Sequence, residues 1–103
     1  VHPSLLPKFP GLDTHARALA AGEREHGSSV HFVTAELDGG PVVAQARVPV
    51  EPDDTAGTLR ERVQHAEHRL YPAVVGWLAT GRLAWTPQGP RLDGQPILTP
   101  PQT

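Results

Sequence analysis

The stretch GSSVHFVTAELDGGPVVAQARVPV, residues 27–50, contains two runs rich in β-branched residues that are separated by a polar joint. The runs cover residues 29–34 and residues 41 or 42 to 48, and their composition predicts two β-strands. The joint contains Asp38-Gly39-Gly40, where the glycines permit positive φ and a close approach of the backbone to a ligand. The stretch therefore predicts a hairpin whose connection runs through residues 35–41.

A helical pattern follows the hairpin. Asp54 or Thr55 can cap its start, Thr58 followed by Glu61 offers a second capping-box pattern, and Gly81 ends it. Pro72 removes the hydrogen bond to a carbonyl one turn earlier and should bend the helix. Apolar residues recur every three or four positions and predict a stripe that packs on a sheet: Leu59, Val63, Ala66, Leu70, Val74 and Leu78.

The segments on either side of these elements are shorter. Val1 and His2 are typical of a strand end that Pro3 breaks, and a loop over residues 3–12 follows. A short helix is predicted over residues 15–21, capped by Asp13 or Thr14 and ended at Gly22. Residues 82–86 predict a last short strand, residues 87–96 a region of turns, and residues 98–103 a flexible tail. Helix and strand alternate as in an α/β domain.

Composition excludes several classes of protein. The 103 residues carry 9 basic and 11 acidic side chains, and no block of like charge marks a surface for nucleic acid or anionic lipid. Zero Cys excludes disulfides, thiolate metal sites and cysteine nucleophiles. No apolar run approaches the roughly 20 residues that span a bilayer, so we expect a cytoplasmic protein with neither a nucleic-acid nor a membrane partner. Met is also absent, and we expect that further residues precede Val1.

His2 and Asp38 are the leading candidates for chemistry. A histidine at the end of a strand lies where open α/β sheets bind ligands, although a buried structural imidazole fits the same pattern. Asp38 sits at the predicted hairpin tip, where Asp-Gly is first of all a turn former. A carboxylate beside an imidazole favours its cation, which can stabilise an oxyanion or pass on a proton.

The remaining histidines give weaker indications. His65 and His68 flank Glu67, but without an H-E-x-x-H pattern their spacing favours a solvated helix face over a metal site, and we expect no metal. His15 and His26 are predicted to be exposed or capping residues. His31, inside an apolar strand, must find a partner or line a pocket. Nucleophile-elbow and phosphate-loop motifs are absent.

Four segments together resemble a known family: HPSLLPKFPGLDTHARAL, EHGSSVHFVTAELDGGPVVAQARVPV, VQHAEHRLYP and GRLAW. In order and spacing, over residues 1–97, they resemble the C-terminal half of the phosphoribosylglycinamide formyltransferases. The resemblance implies an α/β fold, half of a Rossmann-like formyltransferase domain with a mixed sheet and a long C-terminal helix. It also implies transfer of a formyl group from 10-formyltetrahydrofolate to the amine of glycinamide ribonucleotide, in purine biosynthesis and without a metal.

The resemblance also implies roles for individual residues. His2 matches the histidine that stabilises the oxyanion, and Asp38 the aspartate that pairs with it and moves protons through water. Glu67 matches the glutamate that binds the ribose hydroxyls, and Pro3 lies beside the substrate. The folate-binding loop matches one run of residues: Glu36, Leu37, Asp38, Gly39 and Gly40.

Two departures from the family pattern limit what these residues can do alone. In the family the strand before the loop reads Asn-x-His-Pro-Ser, so the catalytic asparagine and the phosphate loop would lie in an N-terminal half. We therefore expect the 103 residues to be inactive without that half. Asp13 stands where the family commonly has a histidine. Alternatives are another enzyme of the same fold, such as methionyl-tRNA formyltransferase or formyltetrahydrofolate deformylase, or a non-catalytic folate-binding remnant.

Overall fold

The computed structural model describes residues 1–32 and 40–102. In chain order the elements are α1 Thr14–Ala20, β1 Glu25–His31, β2 Val42–Pro49, α2 Ala56–Ala79, β3 Leu83–Thr86, β4 Gly89–Leu92 and β5 Gln95–Pro96. The α/β class predicted from the sequence is confirmed, with an open sheet that mixes pairing directions. β1 and β2 are antiparallel, His2 makes an antiparallel bridge to Ser29, and Gln102 makes a parallel bridge to Gln45.

β1 begins four residues before the predicted start at residue 29. His26, Gly27 and Ser28 pair with Val48, Arg47 and Ala46, so this small and polar run is strand and not coil. Gly27 permits the pairing, because a Cβ at this position would lie 1.9 Å from the backbone oxygen of Ala46. The antiparallel hairpin is as predicted, and of its predicted connection over residues 35–41 the structure describes only Gly40, which is buried, and Pro41.

The long helix is confirmed as α2. Thr55 caps it, because its hydroxyl accepts from Thr58 N–H while the Thr58 hydroxyl accepts from Thr55 N–H, so the capping box predicted from Thr58 to Glu61 does not form. The helix runs through Pro72 and ends at Ala79, two residues before the predicted stop at Gly81.

The predicted stripe of α2 forms the main core, with one exception. Leu78 is 48% exposed, while Trp77 packs against the core. With about 100° of rotation per residue, Trp77 returns to within about 20° of the direction of Leu70, whereas Leu78 lies about 80° away from it. The core consists of Val43, Ala44, Ala46, Val48, Leu59, Val63, Ala66, Leu70, Val74 and Leu83.

α1 lies where predicted, but the expected cap does not form. Asp13 occupies the N-cap position in the left-handed region with φ of 57° and makes no side-chain cap. The Thr14 hydroxyl donates to the Pro3 carbonyl. Helix α1 packs against α2.

The predicted strand over residues 82–86 is confirmed as β3. The prediction of turns over residues 87–96 is wrong, because β4 and β5 lie there. β3, β4 and β5 form an antiparallel meander. The second turn is Asp93-Gly94, with φ of 52° and 79°, which is the pattern of a tight two-residue hairpin turn. An Arg82–Asp93 ion pair, with 2.9 Å between Nε and Oδ1, joins the residue before β3 to this turn. Among the described residues, no helix is long and apolar enough to cross a membrane.

Candidate active site

His2 lies at the point where the first chain segment leaves the sheet. Its N–H donates to the Ser29 carbonyl at 2.8 Å, and its carbonyl accepts from Ser29 N–H at 2.9 Å. The side chain is only 6% exposed. Nε2 lies 2.8 Å from the Phe9 carbonyl oxygen, and because a carbonyl can only accept, Nε2 carries the proton and donates it. His2 is therefore fixed to β1 through its backbone and to the following loop through its ring.

Two buried polar side chains hold that loop against the sheet. The Ser29 hydroxyl donates to the Ser4 carbonyl at 2.7 Å and accepts from Leu6 N–H at 3.1 Å. The Gln45 amide nitrogen lies 2.9 Å from the Leu6 carbonyl and 3.1 Å from Ser29 Oγ and donates to both. Ser29 and Gln45 are 0% and 4% exposed, so these hydrogen bonds form away from water and fix the path of the chain just after His2.

The outer part of the loop is held by Arg17 of α1. Its guanidinium donates to the carbonyls of Pro10 and Leu12 at 2.6 and 3.0 Å, and it lies 5.5 Å from the centre of the Phe9 ring. Pro3, the predicted substrate neighbour, is half-buried, and its carbonyl accepts from Thr14. Helix α1 thus orders the residues that follow His2.

Glu67 of α2 reaches Ser28, which precedes the His2 partner Ser29 in β1. It is half-buried, and its Oε1 accepts from the Ser28 hydroxyl at 2.9 Å. Ser28 is fully buried, and its hydroxyl also lies 3.1 Å from the His2 carbonyl oxygen. The structure therefore brings Glu67 and His2 together through one serine.

Two histidines predicted to be exposed or capping residues pack against each other, His15 from α1 and His26 from β1. His26 is 1% exposed, and His15 is half-buried with its ring centre 5.2 Å from that of His26 in an edge-to-face arrangement. His26 Nε2 and His15 Nδ1 are buried and have no hydrogen-bond partner within the part of the chain that the structure describes. Burial, and secondly the neighbouring His15, lowers the pKa of His26 to about 4, and burial also lowers the pKa of His15.

The sequence did not reveal this burial because His26 stands in a polar run. His65 and His68 are exposed, as predicted. His31 is half-buried, with Nδ1 3.1 Å from the carbonyl oxygen of Phe32.

The predicted folate loop is only partly described. Glu36, Leu37, Asp38 and Gly39 lie outside the described residues, so the pairing of Asp38 with His2 stays a prediction. Among the described residues, no group of three or more acidic or histidine side chains could hold a metal ion.

A cavity of about 630 Å³ lies beside the loop, lined by residues that include Leu6, Lys8, Glu23 and Arg47. Of the predicted site residues that the structure describes, His2, Pro3, Gly40 and Glu67, none lines it.

Comparison with known proteins identifies the family. The model of the formyl transferase family matches residues 1–75. The chain belongs to the formyl transferase family. It is 56% identical over 102 residues to a phosphoribosylglycinamide formyltransferase of Escherichia coli K12, covering 99% of this chain and 47% of that protein.

Solved structures of formyl transferases agree with this assignment. A phosphoribosylglycinamide formyltransferase from Coxiella burnetii matches with a TM-score of 0.92 and 52% identity, covering 99% of this chain and 49% of that one. A formyltetrahydrofolate deformylase from Pseudomonas syringae matches with a TM-score of 0.81 and 25% identity, covering 88% and 30%. The chain spans about half the length of the curated relatives it matches.

Sequence reasoning missed the residues that support the site in this formyl transferase chain. No sequence pattern indicated a supporting role for Ser28, Ser29 or Gln45. The signal in the sequence was a polar residue inside an apolar run, most clearly Gln45 between Ala44 and Ala46. A glutamine with such neighbours is expected to be buried and then needs hydrogen-bond partners.

Proposed function

We propose that this chain supplies part of the active site of an enzyme that transfers a formyl group from 10-formyltetrahydrofolate to the primary amine of glycinamide ribonucleotide. The observation that carries the proposal is the buried imidazole of His2, whose Nε2–H donates to the carbonyl oxygen of Phe9. A donor held in this way is suited to the oxygen on which charge develops during acyl transfer. Membership of the formyl transferase family supports the same reaction class.

The proposed reaction forms one bond and breaks one. The substrate amine attacks the formyl carbon, the bond from that carbon to the folate nitrogen breaks, and a proton passes from the amine to that nitrogen. His2 stabilises the oxyanion, which takes the position on Nε2–H now held by the Phe9 carbonyl. Asp38 orients His2 and assists the proton transfer through water.

The remaining predicted residues bind the substrates. Glu67 accepts hydrogen bonds from the ribose hydroxyls, and Pro3 lies beside the glycinamide. Residues 36–40 line the folate pocket. We propose that the chain acts together with residues that correspond to the rest of the relatives' length.

A chimera tests this function directly. This chain replaces the matching segment of the E. coli relative, and formyl transfer to glycinamide ribonucleotide is measured. We expect activity in the chimera and none in the 103 residues alone. His2→Ala should lower kcat by about 10²- to 10³-fold, the usual effect of losing one oxyanion donor, and Asp38→Asn should also lower it strongly. His65→Ala, a change at an exposed histidine outside the site, should keep full activity.

The same chimera separates the alternatives. Formyl transfer to initiator tRNA, or release of formate to water, in preference to the ribonucleotide would contradict the proposal and favour another enzyme of this fold. A folded chimera that binds folate but transfers nothing would favour the binding remnant.

A further inference from the structure

The Ser28 hydroxyl has two acceptors and one proton to donate. Glu67 Oε1 lies 2.9 Å away and the His2 carbonyl oxygen 3.1 Å away. The His2 carbonyl already accepts from Ser29 N–H and Ser4 N–H, each at 2.9 Å. Glu67 offers an ionised acceptor, and hydrogen bonds to carboxylates are the stronger class. The serine proton is therefore committed to Glu67.

This hydrogen bond fixes a side chain that would otherwise rotate. Glutamate has three side-chain torsions and loses considerable rotamer freedom when it is held in one position. Ser28 is fully buried on β1, a rigid element paired along its length with β2, and it binds only one of the two carboxylate oxygens. No other hydrogen bond to Glu67 occurs among the described residues, so Oε2 is left to accept from a ligand.

We propose that Ser28 is a positioning residue, which holds Glu67 ready for the ribose hydroxyls of the ribonucleotide and fixes the distance between Glu67 and His2. This inference rests on the proposed function. A preorganised acceptor binds more tightly, because less conformational freedom is lost on binding. Ser28 does not touch the substrate and acts only through Glu67.

The test uses the chimera and the change Ser28→Ala. Loss of a hydrogen bond to a charged group should raise KM for the ribonucleotide by about tenfold, with kcat and the KM for 10-formyltetrahydrofolate within about twofold of the unchanged chimera. Ser28→Thr keeps the hydroxyl in a residue that suits a strand, and it should restore the original KM. Thr86→Ala, which removes a hydroxyl bonded to Gly89 on the distant meander, is the matched control and should leave all three constants unchanged.

A double variant distinguishes positioning from general damage to the fold. In a Glu67→Ala background, Ser28→Ala should raise the ribonucleotide KM no further, because the group that it positions is gone. Additive effects, an unchanged KM in Ser28→Ala, or an equal loss for both substrates would overturn the inference while leaving the proposed function standing. Failure of the unchanged chimera to formylate the ribonucleotide would instead reject the proposed function, and the inference with it.

Discussion

The two faces of the β1–β2 sheet are held by different kinds of contact. On one face α2 packs leucine and valine side chains against small residues of β2. On the other face the loop after His2 is held by hydrogen bonds to Ser29 and Gln45. Apolar contact is non-directional and scales with the area buried, whereas a hydrogen bond fixes both distance and angle. The α2 face therefore supplies most of the stability, and the loop face sets the position of His2.

The largest expected effect is on the α2 face. Leu70 is fully buried in the core, and Leu70→Ala should lower the free energy of unfolding by about 2–5 kcal/mol through lost transfer energy and the cavity left behind. Urea denaturation followed by circular dichroism measures this. Leu98, which is 90% exposed, provides the control: Leu98→Ala should change the stability by less than about 0.5 kcal/mol. Equal losses of unfolding free energy in the two variants would contradict the conclusion that the α2 face supplies most of the stability.

The second effect is a change of stability with pH. It arises on the same face of the sheet, at His26, which lies two residues before Ser28 in β1. The pKa of His26 is lowered from 6.5 to about 4 in the folded protein, so the unfolded state binds a proton more readily. The stability of the folded state that depends on a neutral His26 is fully present above pH 6.5. It declines by roughly 3 kcal/mol as the pH falls towards 4. Unfolding free energies measured between pH 7 and pH 4 should show this decline, and His15 adds to it in the same direction.

His26→Leu should flatten most of that decline, because the buried group no longer takes up a proton. His68→Gln, a change at an exposed histidine of α2, should keep the decline that His26 causes. A His26→Leu variant as sensitive to acid as the wild-type protein would show that burial of this ring does not govern the pH dependence.

The smallest effect on stability is expected on the loop face. Gln45→Ala leaves the Leu6 carbonyl and the Ser29 hydroxyl without one partner each and should lower the free energy of unfolding by about 1–3 kcal/mol. In the chimera the same change should lower kcat strongly despite the small loss of stability, because the chain after His2 is no longer held in place. Gln64→Ala, at an exposed position on α2, should change neither quantity. A Gln45→Ala enzyme with normal kcat would show that this face does not position His2.

Composition and capping residues, and in α2 the apolar periodicity, made the hairpin, α1, α2 and β3 predictable. The early start of β1 and the strands β4 and β5 escaped prediction. Gly27 and its neighbours carry no strand preference of their own, and their pairing depends on the close approach of Ala46. The Asp93-Gly94 turn was visible in the sequence, but its flanking strands are too short to show alternation.

The site divides in a similar way. The resemblance indicated His2 and Glu67, and the structure brings both to adjacent residues of β1, Ser29 and Ser28. Ser28 could not be predicted to join them, because the contact spans 39 residues of sequence. The burial of His26 also depends on packing by α1, which no local pattern encodes. Roles for Asp38 and its neighbours stay predictions.

The bridge between Gln45 and Gln102 sets an order of events during synthesis. Gln45 N–H donates to the Pro101 carbonyl at 2.9 Å, and the Gln45 side-chain oxygen accepts from Gln102 at 3.2 Å, across 57 residues of sequence. A ribosome releases the hairpin well before residue 102, so the outer edge of β2 emerges without its neighbour. Such an edge can recruit a strand from another nascent chain. Once residues 101 and 102 have emerged, this edge of β2 is paired, and the bonding of Gln45, which supports the loop after His2, is complete.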